Sequence, residues 1–165
     1  MPGHLGFSYV GPVFLLMLFI PNIAWSRNLP KNYHPIRECK TLLWFERIGQ
    51  ACCVGSLLIF KDYNLVAFSG WGLWLIASFF LMILYEMSWV RYFMNEHTQE
   101  NLYRSFYGIP LPGASLPVMA FLLLGIYGKV IWLIASAVIL GIGHIGIHLQ
   151  RFKSIKNPGR EVSDV

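Results

Sequence analysis

Residues 130–149 read VIWLIASAVILGIGHIGIHL, twenty residues without one Asp, Glu, Lys or Arg. As a helix rising 1.5 Å per residue, such a run is about 30 Å long, the thickness of a bilayer's hydrocarbon core. It stops at QRFK (150–153), where polar and basic residues suit an interface. Inside it, His144 and His148 stand four residues apart and share one helical face. The stretch therefore carries both a fold reading, a membrane span, and a question of chemistry.

The rest of the chain agrees with the span. It has 165 residues, room for one domain, of which 56% are hydrophobic and 13% charged. A soluble domain carries roughly 45–50% and 25%, so there is too little polar surface here to face water all round. Four more stretches approach spanning length, at 8–25, 42–60, 64–90 and 113–127. The expected fold is all-α. It is a single domain over 1–165 built as a bundle of five transmembrane helices, with a basic tail over 150–165. KDYN (61–64) and YGK (127–129) look like tight turns, which predicts that helices two and three, and helices four and five, are antiparallel neighbours. NEHTQENLYRSFYG (95–108) mixes charge with aromatics and predicts a short interfacial helix between helices three and four. GIPLPG (108–113) then breaks helicity before the chain re-enters the membrane.

Basic residues set the orientation. Arg27, Lys31, Arg37, Lys40, Arg47, Arg91, Arg104, Arg151, Lys153, Lys156 and Arg160 fall on one side of the predicted bundle, and only Lys61 and Lys129 on the other. The expectation is N-terminus outside and C-terminus cytoplasmic, in a bacterial inner membrane. The first stretch lacks a basic n-region and a small-residue cleavage site, so it reads as a span and not as a signal peptide. Trp25, Trp44, Trp71, Trp89 and Trp132 mostly lie near span ends, as an aromatic belt would.

Several functions lose support at this stage. The net charge of +5 is dispersed among loops, without the basic cluster of a nucleic-acid binder. Cys39, Cys52 and Cys53 form no CxxC pair, against a quinone-linked thiol oxidase. Both intramembrane histidines lie on one helix, which does not suit bis-histidine haem, and no mid-membrane lysine exists for retinal. Neither a GxGxxG nor a GxxxxGK loop marks a nucleotide or flavin site, and no GxSxG elbow appears. No internal repeat suggests an inverted-repeat transporter.

Ionisable groups inside spans carry the functional signal, because each costs a few kcal/mol unless paired or hydrated. Glu46, Glu86, His144 and His148 all fall in the predicted cytoplasmic leaflet. Glu46, Gln50 and Cys53 share a stripe on helix two; Ser78, Met82 and Glu86 share one on helix three; Ala137, Gly141, His144 and His148 share one on helix five. These stripes are expected to face one cytoplasmic pocket, with Asn22, Tyr85 and Arg91 at its rim. Plainer readings stand beside this one. Glu46 next to Arg47, Glu86 five residues before Arg91, and His148 next to Arg151 would each be satisfied by interfacial water. His4, His34 and His97 lie outside the spans and read as solvated.

Histidines at i and i+4 with nearby carboxylates can hold a divalent cation. The HxxxH at 144–148 resembles that of the last helix in membrane hydrolases and receptors related to adiponectin receptors, whose members use a zinc site. The likeness is one of site geometry over those five residues, as that family has seven helices. It implies a zinc-like ion held by His144, His148, Glu46 and Glu86, activating water against a lipid-borne or small hydrophobic substrate. Two other functions fit the same residues: a proton- or cation-coupled transporter or channel subunit acting as an oligomer, and a non-catalytic scaffold that binds lipid, a second copy or a membrane partner.

Overall fold

Glycines set the closest helix approach in the molecule, and with it the arrangement of everything else. The computed structural model describes residues 3–30, 33, 38–66 and 70–156. Lys31, His34, Arg37, Arg160 and the tail from residue 157 onward lie outside them. Six helices follow in order: α1 (Val10–Arg27), α2 (Lys40–Ile59), α3 (Leu73–Met94), α4 (Gln99–Tyr103), α5 (Pro112–Gly128) and α6 (Ile131–Lys156). The described residues contain no strand, only isolated bridges joining Leu5 to Phe60 and Phe106 to Ile109. Four helices are long and apolar enough to cross a membrane: α1, α2, α6, and α3 with the 3-10 turn Gly70–Gly72 ahead of it.

α2 lies along α6 where Gly49 and Gly143 let their backbones meet. A Cβ on Gly49 would stand 2.6 Å from the Leu140 Cα, and one on Gly143 would stand 2.6 Å from the Leu42 carbonyl oxygen. Small residues permit such an approach in a membrane, where dispersion and hydrogen bonds replace the hydrophobic effect between helices. α6 also packs on α5, α5 on α3, and α1 touches both α3 and α2. The five long helices thus close into a ring in the order α2, α6, α5, α3, α1.

This order corrects one expectation. α5 and α6 are neighbours, joined at Lys129, whose left-handed φ of 53° ends α5. α2 and α3 do not form a packed pair. The third helix starts at Leu73 and not at residue 64, so the connection after KDYN is long enough to carry the chain across the end of the bundle. α5, with 17 residues, is the shortest of the five, at about 25 Å. Pro112 starts it, and it is the most enclosed. Being apolar on every face, it suits burial among neighbours. The short helix expected between helices three and four is α4, one turn and a little more, capped by the Thr98 hydroxyl, which accepts from the Asn101 amide at 3.2 Å.

Phe14, Leu57, Met82, Phe121 and Leu124 fill the centre, with Phe14 edge-on to Phe79 at 4.6 Å. The outer surface is apolar too. Ile20, Ile48, Ile76, Phe80, Ile83, Val90 and Ile142 are exposed on the outside of four helices, a continuous apolar coat that a soluble monomer would not carry.

The end of the bundle that holds residues 3–9 is closed by hydrogen bonds. Asp62 accepts from the His4 amide at 2.6 Å and pairs with the His4 ring at 2.7 Å, while the Gly6 amide donates to the Ile59 carbonyl. Tyr63 and Ser56 share a buried hydroxyl pair at 2.8 Å. Burial alone would raise the Asp62 carboxyl, but its bonds to His4 outweigh that and hold it below the ordinary value. A depressed folded pKa contributes stability that is present above the unfolded value, about 3.9, and lost as pH falls through the folded one. Amide exchange at Gly6 and Lys61, taken relative to the intrinsic rate at each pH, should therefore accelerate below about pH 4 in the wild type. In Asp62→Asn it should already be fast at neutral pH, and equal protection in the two proteins would contradict this anchoring.

Candidate functional site

The opposite end of the ring is open inside. There α1, α3 and α6 end, α2 and α5 begin, and α4 lies across them. Between them is a cavity of about 300 Å³. Its apolar walls include Leu18 and Phe19 from α1, Pro117, Val118 and Phe121 from α5, and Leu140 from α6. Its polar lining is Asn22, Glu46, Gln50, Tyr103, His144, His148 and Arg151, with the indoles of Trp25 and Trp89.

Glu46 and His144 face each other across the α2–α6 contact, with Glu46 Oε1 2.5 Å from His144 Nδ1. The glycine contact explains the reach. Gly143 sits against the Glu46 backbone, so the next side chain on α6, His144, emerges beside the Glu46 carboxylate. His148 follows one turn later, its ring centroid 4.5 Å from that of His144 and 5.7 Å from that of Tyr103. One turn further, Arg151 pairs with Glu38, just ahead of α2. Burial pushes the Tyr103 hydroxyl above its ordinary value, against the opposing pull of Arg151, so it stays protonated and able to donate.

The α1–α2 side of the cavity carries exposed polar groups. α1 and α2 meet where Gly11 lies against the Leu57 carbonyl. Towards the other end of the same pair, Asn22 and Gln50 line the cavity and are also exposed.

Of the residues expected at the site, Glu46, Gln50, His144, His148 and Asn22 come together in the cavity wall. Tyr85 stands behind it, fully buried, with its hydroxyl accepting from Asn22 Nδ2 at 2.7 Å. Cys53 and Met82 belong to the core, at 1% and 0% exposure. Gly141 rests against Val118 of α5, behind the wall. Arg91 is turned away, donating to the carbonyls of Ser105 and Arg104 and lying over the Phe106 ring at 5.0 Å. It holds the loop after α4 in place.

Glu86 does not reach the cavity. Each i+4 step advances about 400°, so a stripe drifts by about 40° per step and Ser78, Met82 and Glu86 do not share one face closely. The inward stripe of α3 runs through Ser78, Met82, Tyr85, Trp89 and Tyr92, leaving Glu86 beside exposed Ile83 and Val90. Its Oε1 is enclosed without a hydrogen-bond partner among the described residues. The expected four-ligand set is thus not assembled, and among the described residues no three His, Cys, Asp or Glu side chains form a group that could hold a metal ion.

Two contributors were not expected from the sequence. Arg151 lies at i+3 from His148 and i+7 from His144, so its place on their stripe was readable. Its ordinary role as a topology-setting charge masked that. Tyr103 had no local signal, because α4 reaches the cavity only through tertiary packing. No family model matches this chain, and no curated protein or solved structure shows significant similarity to it.

Proposed function

We propose that this chain is a five-span membrane protein whose cavity takes a small amphipathic molecule from the bilayer and holds it against His144. The single observation that carries this reading is the Glu46–His144 pair set in the wall of a mostly apolar cavity. α5 acts as the short fifth span, and the side rich in Lys and Arg is cytoplasmic, which places the cavity in the cytoplasmic leaflet.

The pair has a definite chemistry. When His144 donates its Nδ1 proton to Glu46, the tautomer is fixed and Nε2 is left as a proton acceptor. A carboxylate that orients an imidazole in this way also stabilises the imidazolium formed when it takes a proton. No Ser, Thr or Cys lines the cavity among the described residues. The set therefore supports proton transfer at a bound hydroxyl, carbonyl-adjacent carbon or water, and not acyl transfer through a protein nucleophile.

Organic extraction and mass spectrometry of protein purified in nanodiscs tests the site. One compound should be enriched over bulk lipid in the wild type, lost in Val118→Trp, which fills the cavity, and reduced about tenfold in His144→Ala, for the loss of roughly 1.4 kcal/mol of binding. Identical extracts from all three would overturn the reading, and stoichiometric zinc lost in His144→Ala would replace it with the cation site. A phosphatase reporter fused after Lys129 should be active outside the cytoplasm, and an inactive one would reverse the orientation.

A further inference from the structure

The charged groups at the cavity already have partners. Glu46 is engaged by His144, and Arg151 by Glu38. Both pairs are largely enclosed, with side chains between 17% and 25% exposed. What remains to meet a ligand is uncharged: the Gln50 amide, the Asn22 side-chain oxygen, the Tyr103 hydroxyl, the His148 ring and the free nitrogen of His144. An anionic headgroup entering here would have to take Arg151 from Glu38 and leave that carboxylate enclosed without a partner. A cation would have to take Glu46 from the His144 N–H and leave that donor enclosed without an acceptor. The first exchange leaves an enclosed charge and the second an enclosed donor without a partner, and both are unfavourable.

Size limits the ligand as well. A volume of about 300 Å³ equals roughly ten water molecules, enough for an organic molecule of about a dozen non-hydrogen atoms and too small for a two-chain phospholipid. The apolar walls require most of those atoms to be hydrocarbon. From the matched charges and the volume, and resting on the reading of the cavity as a ligand site, we infer that the ligand is a neutral single-chain or small-ring amphiphile. It carries a hydroxyl or carbonyl head, as a medium-chain alcohol does, and is neither an anionic nor a cationic lipid. Its head hydrogen-bonds among Gln50, His148 and Tyr103, within reach of the base at His144, and its apolar part lies along Val118 and Phe121.

The test titrates full-length protein in nanodiscs with three probes of one chain length: dodecanol, dodecanoate and dodecyltrimethylammonium, at pH 7.5 and constant salt. Binding is read by competition against a fluorescent neutral amphiphile. Dodecanol is expected to bind at least about tenfold more tightly than either charged probe, a difference of about 1.4 kcal/mol, and Val118→Trp should abolish its binding. In Glu38→Gln, which keeps a hydrogen bond to Arg151 but frees its charge, preference should move towards dodecanoate by about tenfold or more. Tighter binding of a charged probe to the wild type would overturn the neutral-ligand inference while leaving the cavity a ligand site. An unchanged preference in Glu38→Gln would overturn the charge-matching argument. Failure of all three probes to compete would overturn the ligand-site reading itself.

Discussion

Gly143→Leu is expected to yield protein that no longer assembles, seen as loss of the monodisperse peak in size-exclusion chromatography. Any side chain at 143 meets backbone on two sides, since its Cβ would stand 2.6 Å from the Leu42 carbonyl oxygen and 2.7 Å from the Glu46 Cα. Backbone cannot rotate away as a flexible side chain can, so α2 and α6 must separate. Overpacking a well-packed contact typically costs 1–3 kcal/mol, and a backbone clash at the tightest helix pair should reach about 3 kcal/mol or more. Separation also carries Glu46 away from His144, so fold and site fail together. Gly55 on α2 is the control. Nothing lies within 4 Å of its built Cβ, so Gly55→Leu should keep the wild-type elution profile. If both variants assemble normally, α2 and α6 do not meet as described.

The second large effect concerns Arg151. Glu38→Ala should lower stability by about 3 kcal/mol, because it leaves an enclosed guanidinium without its carboxylate. Glu38→Ala combined with Arg151→Met should recover most of the loss, as replacing both members of a buried pair by apolar groups is often neutral. Thermal unfolding in one detergent, followed by near-UV circular dichroism, measures both. A double variant no better than Glu38→Ala would show that Arg151 contributes through contacts other than Glu38, with the Tyr103 side of the cavity as the place to look.

The bundle was largely legible because its signals are local. The apolar run at 130–149 became α6, although the helix continues through the basic stop to Lys156. The start of α3 was misread because residues 64–72 are apolar enough to resemble a span, whereas the described ones, 64–66 and 70–72, hold only a bend and a 3-10 turn. Which helices touch was harder to read. Short turns suggested that α2 and α3 are neighbours, but Gly49 and Gly143 bring α2 to α6 over a sequence separation that no periodic pattern encodes. The candidate site divides in the same way. His144, His148 and Glu46 stood out because ionisable groups in a span are costly and therefore informative. Glu86 stood out for the same reason and lies elsewhere, since depth in the membrane is readable from sequence while rotation about the helix axis is set by packing.

The account rests on Glu46 and His144 acting on each other across the α2–α6 contact, and a double-mutant cycle measures that interaction directly. Unfolding free energies of the wild type, Glu46→Ala, His144→Ala and the double variant should give a coupling of about 1.5–3 kcal/mol, as for a hydrogen bond to a charged group. Effects that simply add, within about 0.5 kcal/mol, would mean the two side chains do not meet and would contradict the site at its centre.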